Sequence, residues 1–342
     1  MENWKEARRA LCAGAALGAL AFLLPLLAFG LDQEQAAAPP ESSAPAASQP
    51  AASWDGAKTV RLLHAGEDEV EELSLEDYLW RVVAAEMPAS FEPEALRAQA
   101  VCARTYSLWK LQADSHGEEG ADLCDDSACC QAYLTPEEAA ENWGDSAQTY
   151  GEKIAAAVAD TDAQVLTYED APIQAVFFSS STDSTEDAAQ VWGNSLPYLV
   201  SVSSPEGEEV PNYRSTVVLT AAQLRELAAE NYPQADLSGN PAHWVGEVRY
   251  NASGRVASLE LGGVSMSGGA ARNLFGLRSA CFTVEYGEEG FTFSVVGYGH
   301  GVGMSQYGAN AMAQEGADWR EIVEHYYTGV CIQSWQDREQ TV

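Results

Sequence analysis

Residues 74–88 read SLEDYLWRVVAAEMP, and residues 93–111 read PEALRAQAVCARTYSLWKL. Ser74 followed by Asp77 has the form of a capping box whose acid is one methylene short of the preferred glutamate, and Pro88 closes the segment. On a helical wheel at about 100° per residue, with Leu75 at zero, Leu79, Val82 and Tyr78 fall within about 60° and Val83 lies close behind. Glu86 lands at about 20°. The pattern predicts a helix with a carboxyl in the middle of its apolar face. That carboxyl sits in the last turn, where the macrodipole already disfavours negative charge. Burial and dipole both raise its pKa, and a carboxyl kept protonated near neutral pH is what a general acid requires. A helix frayed before Pro88 would instead turn Glu86 to water.

The second run predicts a helix with Pro93 in its first turn and apolar positions nearly all round, hence a largely buried one. Gln99 and Arg104 sit inside that wrapping. A buried guanidinium or amide is costly without partners, which a neighbouring carboxyl or a polar ligand would supply; Arg104 could also simply pair a surface acid. Between the helical segments lie the runs QVLTYED, IQAVFF, STVVL, EVRYN and FTVEY, which read as strands. A last helix is expected from Asp318 through Tyr327, stopped by Gly329. Together these predict an α+β fold, a single mixed α/β body with an inserted lobe around 205–290.

The 342 residues hold 18 Lys plus Arg against 51 Asp plus Glu, a net charge of −33. Nucleic acid is excluded as a partner, because a polyanion needs a basic footprint. Hydrophobic residues at 46% exclude a disordered acidic chain. Residues 1–9 carry Lys5, Arg8 and Arg9 and read as a cytoplasmic tail; 10–31 are uncharged and read as a transmembrane helix or a cleaved signal segment. Residues 32–56 read as a disordered Ala/Pro/Ser-rich linker, 57–333 as the folded domain and 334–342 as a tail. Either reading of 10–31 places the body outside the cytoplasm, at the cell membrane if the anchor is kept.

Near the other end, residues 295–316 read VVGYGHGVGMSQYGANAMAQEG. Alternating glycines allow unusual backbone angles and let a ligand approach His300. A helix is expected to start near Ser305 and Gln306, offering N-terminal amides to a polar ligand.

With VVAAEMPASFEPEALRAQAVCARTYSL at 82–108, CQAYL at 130–134, VLTYEDAPIQAVFFSSST at 165–182, VWGNSLPYLVSV at 191–202, GYGHGVGMSQYGANAMA at 297–313 and HYYTG at 325–329, the chain resembles the SpoIID/LytB domain family. The resemblance implies a membrane-anchored lytic transglycosylase that cuts peptidoglycan glycan strands, above all those stripped of stem peptides, during spore engulfment. It implies that Glu86 is the catalytic residue and that Gln99, Arg104, Tyr106, Ser179, Ser180, Thr185, Trp192, His300, Ser305, Gln306 and Tyr307 surround the glycan groove. One acid suffices for that chemistry, whereas hydrolysis needs two carboxyls; Asp183 is the candidate for a second. Where the family has Gly-Gly, this chain has Thr182-Asp183, which bears on substrate approach at 179–185. The amidase-enhancer branch implies an alternative, a non-catalytic glycan-binding enhancer of a cell-wall amidase. Stage II sporulation protein P is the expected amidase partner.

His116, Cys124, Cys129 and Cys130 make a complete tetrahedral zinc set, and some members of the family carry a structural zinc in this loop. Disulfides, favoured outside the cytoplasm, and free thiols are the alternatives. Four ligands leave no open position, so the zinc would be structural and no catalytic cofactor is expected.

Overall fold

The computed structural model describes residues 53–66, 69–113 and 120–339. The expected tail and apolar segment at 1–31, most of the linker, and His116 lie outside these residues. Among the described residues no helix is long and apolar enough to cross a membrane.

The helix Leu75–Glu86 forms as its sequence requires. Ser74 caps it, accepting from the Asp77 amide, and Leu75, Tyr78, Leu79, Val82 and Val83 are buried. Pro93–Ala113 is wrapped on nearly every side, with Leu96, Ala100, Val101, Ala103 and Leu108 all in the core. Ala147–Asp160 and the C-terminal helices Gln306–Gln314 and Trp319–Tyr326 pack against Pro93–Ala113. Asp318 caps the last of these with a full capping box.

Small sheets flank the helices. Thr59–His64 pairs antiparallel with Glu69–Ser74 and parallel with Leu123–Cys124. Gln164–Tyr168 lies between Cys331–Ser334 and Ala171–Pro172. Phe177–Phe178 pairs in parallel with Met304–Ser305, which ties the serine run to the glycine loop.

The inserted lobe has its own core, from Leu224 to Val295 in sequence, built on Trp244, Leu259, Phe275, Phe291 and Phe293. Two three-stranded sheets form it. Gly290–Val296 runs between Phe282–Gly287 and Arg214–Leu219, and Val256–Leu261 runs between Val264–Ser267 and Val245–Tyr250.

Both ends of the folded body reach further than the sequence reading placed them. Trp54 and Asp55, assigned to the linker, form the short helix Trp54–Ala57 and are buried. Their amides donate to the Asp162 carboxylate at 2.9 Å each. Trp335, assigned to the tail, is 8% exposed and joins the core.

Candidate functional site

Glu86 ends its helix at the rim of a cleft of about 680 Å³. The cleft is lined by Met87, Phe177, Phe178, Ser179, Tyr298, His300, Gln306 and Tyr307, among others. An adjoining cavity of about 380 Å³ is also lined by Glu86 and His300, with Tyr106, Cys129, Cys130 and Trp192. Among the described residues Glu86 is the only carboxylate lining either space.

The Glu86 carboxyl accepts one hydrogen bond, from the Ala132 amide to Oε1 at 2.7 Å. Burial pushes its pKa above the ordinary glutamate value, and that one hydrogen bond only partly offsets it. Gln306 secures the same helix end from the other side, its Nε2 donating to the Glu86 carbonyl at 2.9 Å and to Gln99 Oε1 at 3.4 Å. That carbonyl is one of the four a helix leaves unpaired at its C-terminus.

The predicted residues divide into two groups. Ser179, His300, Gln306 and Tyr307 share the cleft with Glu86, and Tyr106 and Trp192 share the adjoining cavity. Gln99 is fully buried behind Gln306 and lines neither space. Arg104, Ser180, Thr185 and Ser305 do not line them either, and each has a structural reason. Arg104, at 0% exposure, places Nε 2.9 Å from both oxygens of Asp55 and donates to the Val158 carbonyl at 3.2 Å. Its partner comes from the stretch read as linker. Burial outweighs the neighbouring guanidinium and raises the Asp55 pKa, the cost of sealing an ion pair from water. Ser180 is held by backbone pairing to Tyr298. Thr185 Oγ1 accepts from the Val202 amide at 3.0 Å. Ser305 caps the helix Gln306–Gln314 and donates to Glu206, a buried acid that no local pattern marks. Asp183, the candidate second carboxyl, lines neither space.

His300 is a wall of the site and carries no proton in or out. The Val302 amide donates to Nδ1 at 3.1 Å, which leaves the ring proton on Nε2, donating to the Phe177 carbonyl at 3.0 Å. Burial, then the positive charge of Arg272, pushes its pKa down to about 4. Its ring lies 5.4 Å from that of Trp192. The glycines around it make room for protein, not ligand: at Gly303 a side chain would meet the Val176 carbonyl at 2.1 Å, and at Gly299 the Phe178 Cβ at 2.7 Å.

Arg278 is the cation of the cleft, the only one lining it among the described residues. Its guanidinium stacks on Tyr298 with Cζ 4.0 Å from the ring centre, and its buried Nε has no hydrogen-bond partner. Nothing in the sequence around Arg278 signals this, because Tyr298 stands twenty residues on, across a hairpin.

The Cys124, Cys129 and Cys130 sulfurs lie within 4.8 Å of one another. None is in a disulfide; Cys129 and Cys130 Sγ stand 3.9 Å apart. Three convergent thiols suit a thiophilic tetrahedral ion with one further donor. Ala132, which holds Glu86, is two residues beyond Cys130, so this loop also positions the carboxyl.

Residues 64–168, which carry Glu86 and the cysteines, match the stage II sporulation protein family SpoIID. Over 276 residues the chain is 39% identical to the stage II sporulation protein D of Bacillus subtilis (strain 168), covering 80% of this chain and 78% of that protein. This chain belongs to the stage II sporulation protein D family. A second sporulation protein D, from Bacillus amyloliquefaciens, is 38% identical over the same shares. The amidase enhancer of Bacillus subtilis is 27% identical over 74% of this chain and 40% of its own length.

Proposed function

We propose that the chain is a peptidoglycan lytic transglycosylase that cuts glycan strands, above all those without stem peptides, during spore engulfment, with Glu86 as its single acid and base. The observation that carries this is the solitude of Glu86, a half-buried carboxyl with a raised pKa at a cleft where, among the described residues, no second carboxylate lines the walls. Hydrolysis needs a partner acid within about 5–9.5 Å. A lytic mechanism needs none. Protonated Glu86 gives its proton to the glycosidic oxygen as the C1–O bond breaks. The resulting carboxylate takes the proton of the muramic acid C6 hydroxyl as O6 bonds to C1, closing an anhydro ring without consuming water. The raised pKa supplies the acid form above the ordinary glutamate range, and the rate falls as pH rises through it. Cys124, Cys129, Cys130 and His116 would hold a structural zinc that fixes the Ala132 amide against Glu86. The body works outside the membrane, tethered by residues 10–31, beside a cell-wall amidase such as stage II sporulation protein P.

The similarity to an amidase enhancer supports a second reading, a glycan-binding stimulator without cleavage of its own. Digestion of naked glycan by wild-type and Glu86→Gln protein, each with and without the amidase, separates the two. Cleavage lost in Glu86→Gln while glycan binding remains is expected of the enzyme; unchanged stimulation of the amidase with no cleavage by either protein is expected of the enhancer.

A further inference from the structure

Arg255 immediately precedes the strand Val256–Leu261 of the inserted lobe and is 2% exposed. It has an ion-pair neighbour, Glu186, whose Oε1 lies 3.3 Å from Nε. No nitrogen of the guanidinium makes a hydrogen bond. Glu186 is itself occupied, accepting from Asn251 Nδ2 at 2.6 Å and from Ser253 Oγ. Gly301 lies directly against the guanidinium, and a side chain there would come within 2.7 Å of Cζ. The loop that carries His300 is thus shaped around a cation it does not satisfy. A buried guanidinium with unused donors is costly unless a ligand completes it.

Arg255 lines a pocket of about 360 Å³ together with Arg272, Trp192 and His300. Arg272 uses Nε on the Arg278 carbonyl at 3.2 Å. The first turn of the helix Gly268–Phe275, capped by Ser267, forms another wall and turns its positive end inward. Two guanidiniums against the one carboxylate of Glu186 leave this pocket positive in a chain of net charge −33. Burial, only partly offset by Glu186, pushes the Arg255 pKa below its ordinary value, and Arg272 adds like-charge repulsion. Trp192 and His300 also line the cavity that reaches Glu86. The pocket and the cavity beside Glu86 thus share the wall formed by Trp192 and His300.

We propose that this pocket is a carboxylate subsite, in which Arg255 and Arg272 bind the lactyl carboxylate of a muramic acid that has lost its stem peptide. The assignment rests on the glycan reading above and gives it a chemical reason. Removing the peptide turns a neutral amide into an anion, and guanidinium forks recognise a planar carboxylate by paired hydrogen bonds.

The test uses full-length protein carrying Glu86→Gln, so that strands are bound and not consumed. Affinity is measured for denuded strands and for the same strands with their lactyl carboxylates converted to methylamides. The amidated strand is expected to bind about tenfold more weakly. Arg272→Met should bind both strands equally, at the weaker level, and Arg255→Met should do the same. If Arg255→Met fails to fold, Arg272→Met and the comparison of strands decide. Equal affinity for the two strands before any arginine is changed overturns the subsite, as does a preference that survives Arg272→Met. Preference for the free carboxylate without any cleavage by wild-type protein would overturn the transglycosylase reading and leave the subsite standing.

Discussion

Arg104 in the helical body and Arg255 in the inserted lobe are equally hidden, at 0% and 2% exposure, yet their surroundings differ in kind. Arg104 meets both oxygens of Asp55 and the Val158 carbonyl, so its charge is closed off within the fold. Arg255 has a carboxylate nearby but no hydrogen bond from any nitrogen, and a pocket on one side. Half-buried Glu86 resembles the second, with one backbone hydrogen bond, no charged partner among the described residues and open space before it. Burial alone does not separate structural charge from functional charge; completeness of partners does.

Glu86→Gln keeps the shape of the side chain and removes its proton exchange, so cleavage of naked glycan should fall by about 10²–10⁴-fold with little change in melting temperature. Thermal unfolding beside the rate assay checks both halves. Arg104→Met should do the reverse. It leaves the Asp55 carboxyl buried alone, costing about 3–5 kcal/mol of stability, and the double variant Arg104→Met, Asp55→Leu should recover much of that. Folded Arg104→Met protein that has lost cleavage selectively would return Arg104 to the groove.

The cysteine loop comes next. Protein purified under reducing conditions should carry one zinc per chain by elemental analysis, and Cys124→Ser should lose both the metal and part of the melting temperature. Metal-free wild-type protein of unchanged stability would remove the zinc from the account.

The smallest effect concerns His300. Its folded pKa of about 4 lies below the ordinary 6.5, so on acidification the unfolded chain takes the proton first. Its contribution to stability is complete above about 6.5 and drains away as pH falls toward 4. Chemical denaturation across that range should show a shallower loss in His300→Gln than in wild type; identical slopes would mean that His300 titrates normally.

What could be read in advance was local. Ser74, Asp77 and the wheel position of Glu86 mark the helix Leu75–Glu86 and a carboxyl that the structure half-buries, because a cap and a period need only neighbouring residues. The last helix was legible from its apolar face, Trp319, Ile322, Val323 and Tyr326, although its capping box at Asp318 was not read. Even so, the helices Pro136–Trp143 and Ala147–Asp160 went unassigned, although Thr135 and Glu138 form a capping box at the start of the first. The pairing of Arg104 with Asp55 spans 49 residues into a stretch whose composition looks like linker, and no periodicity reaches across that gap. Arg278 and Arg255 escaped for the same reason, since their settings are assembled from Tyr298, Glu186 and Gly301. The glycine-framed histidine was found but its glycines were misread, because a close approach of protein to protein and of protein to ligand leave the same mark in sequence.

If Glu86 works alone, no water enters the reaction. Wild-type protein should be given naked glycan strands in water enriched in ¹⁸O, and the products weighed by mass spectrometry. Muramic acid ends that are anhydro and unlabelled are expected. New reducing ends formed in step with cleavage and carrying ¹⁸O would contradict this, since they require a water nucleophile, and no second base lines the cleft among the described residues.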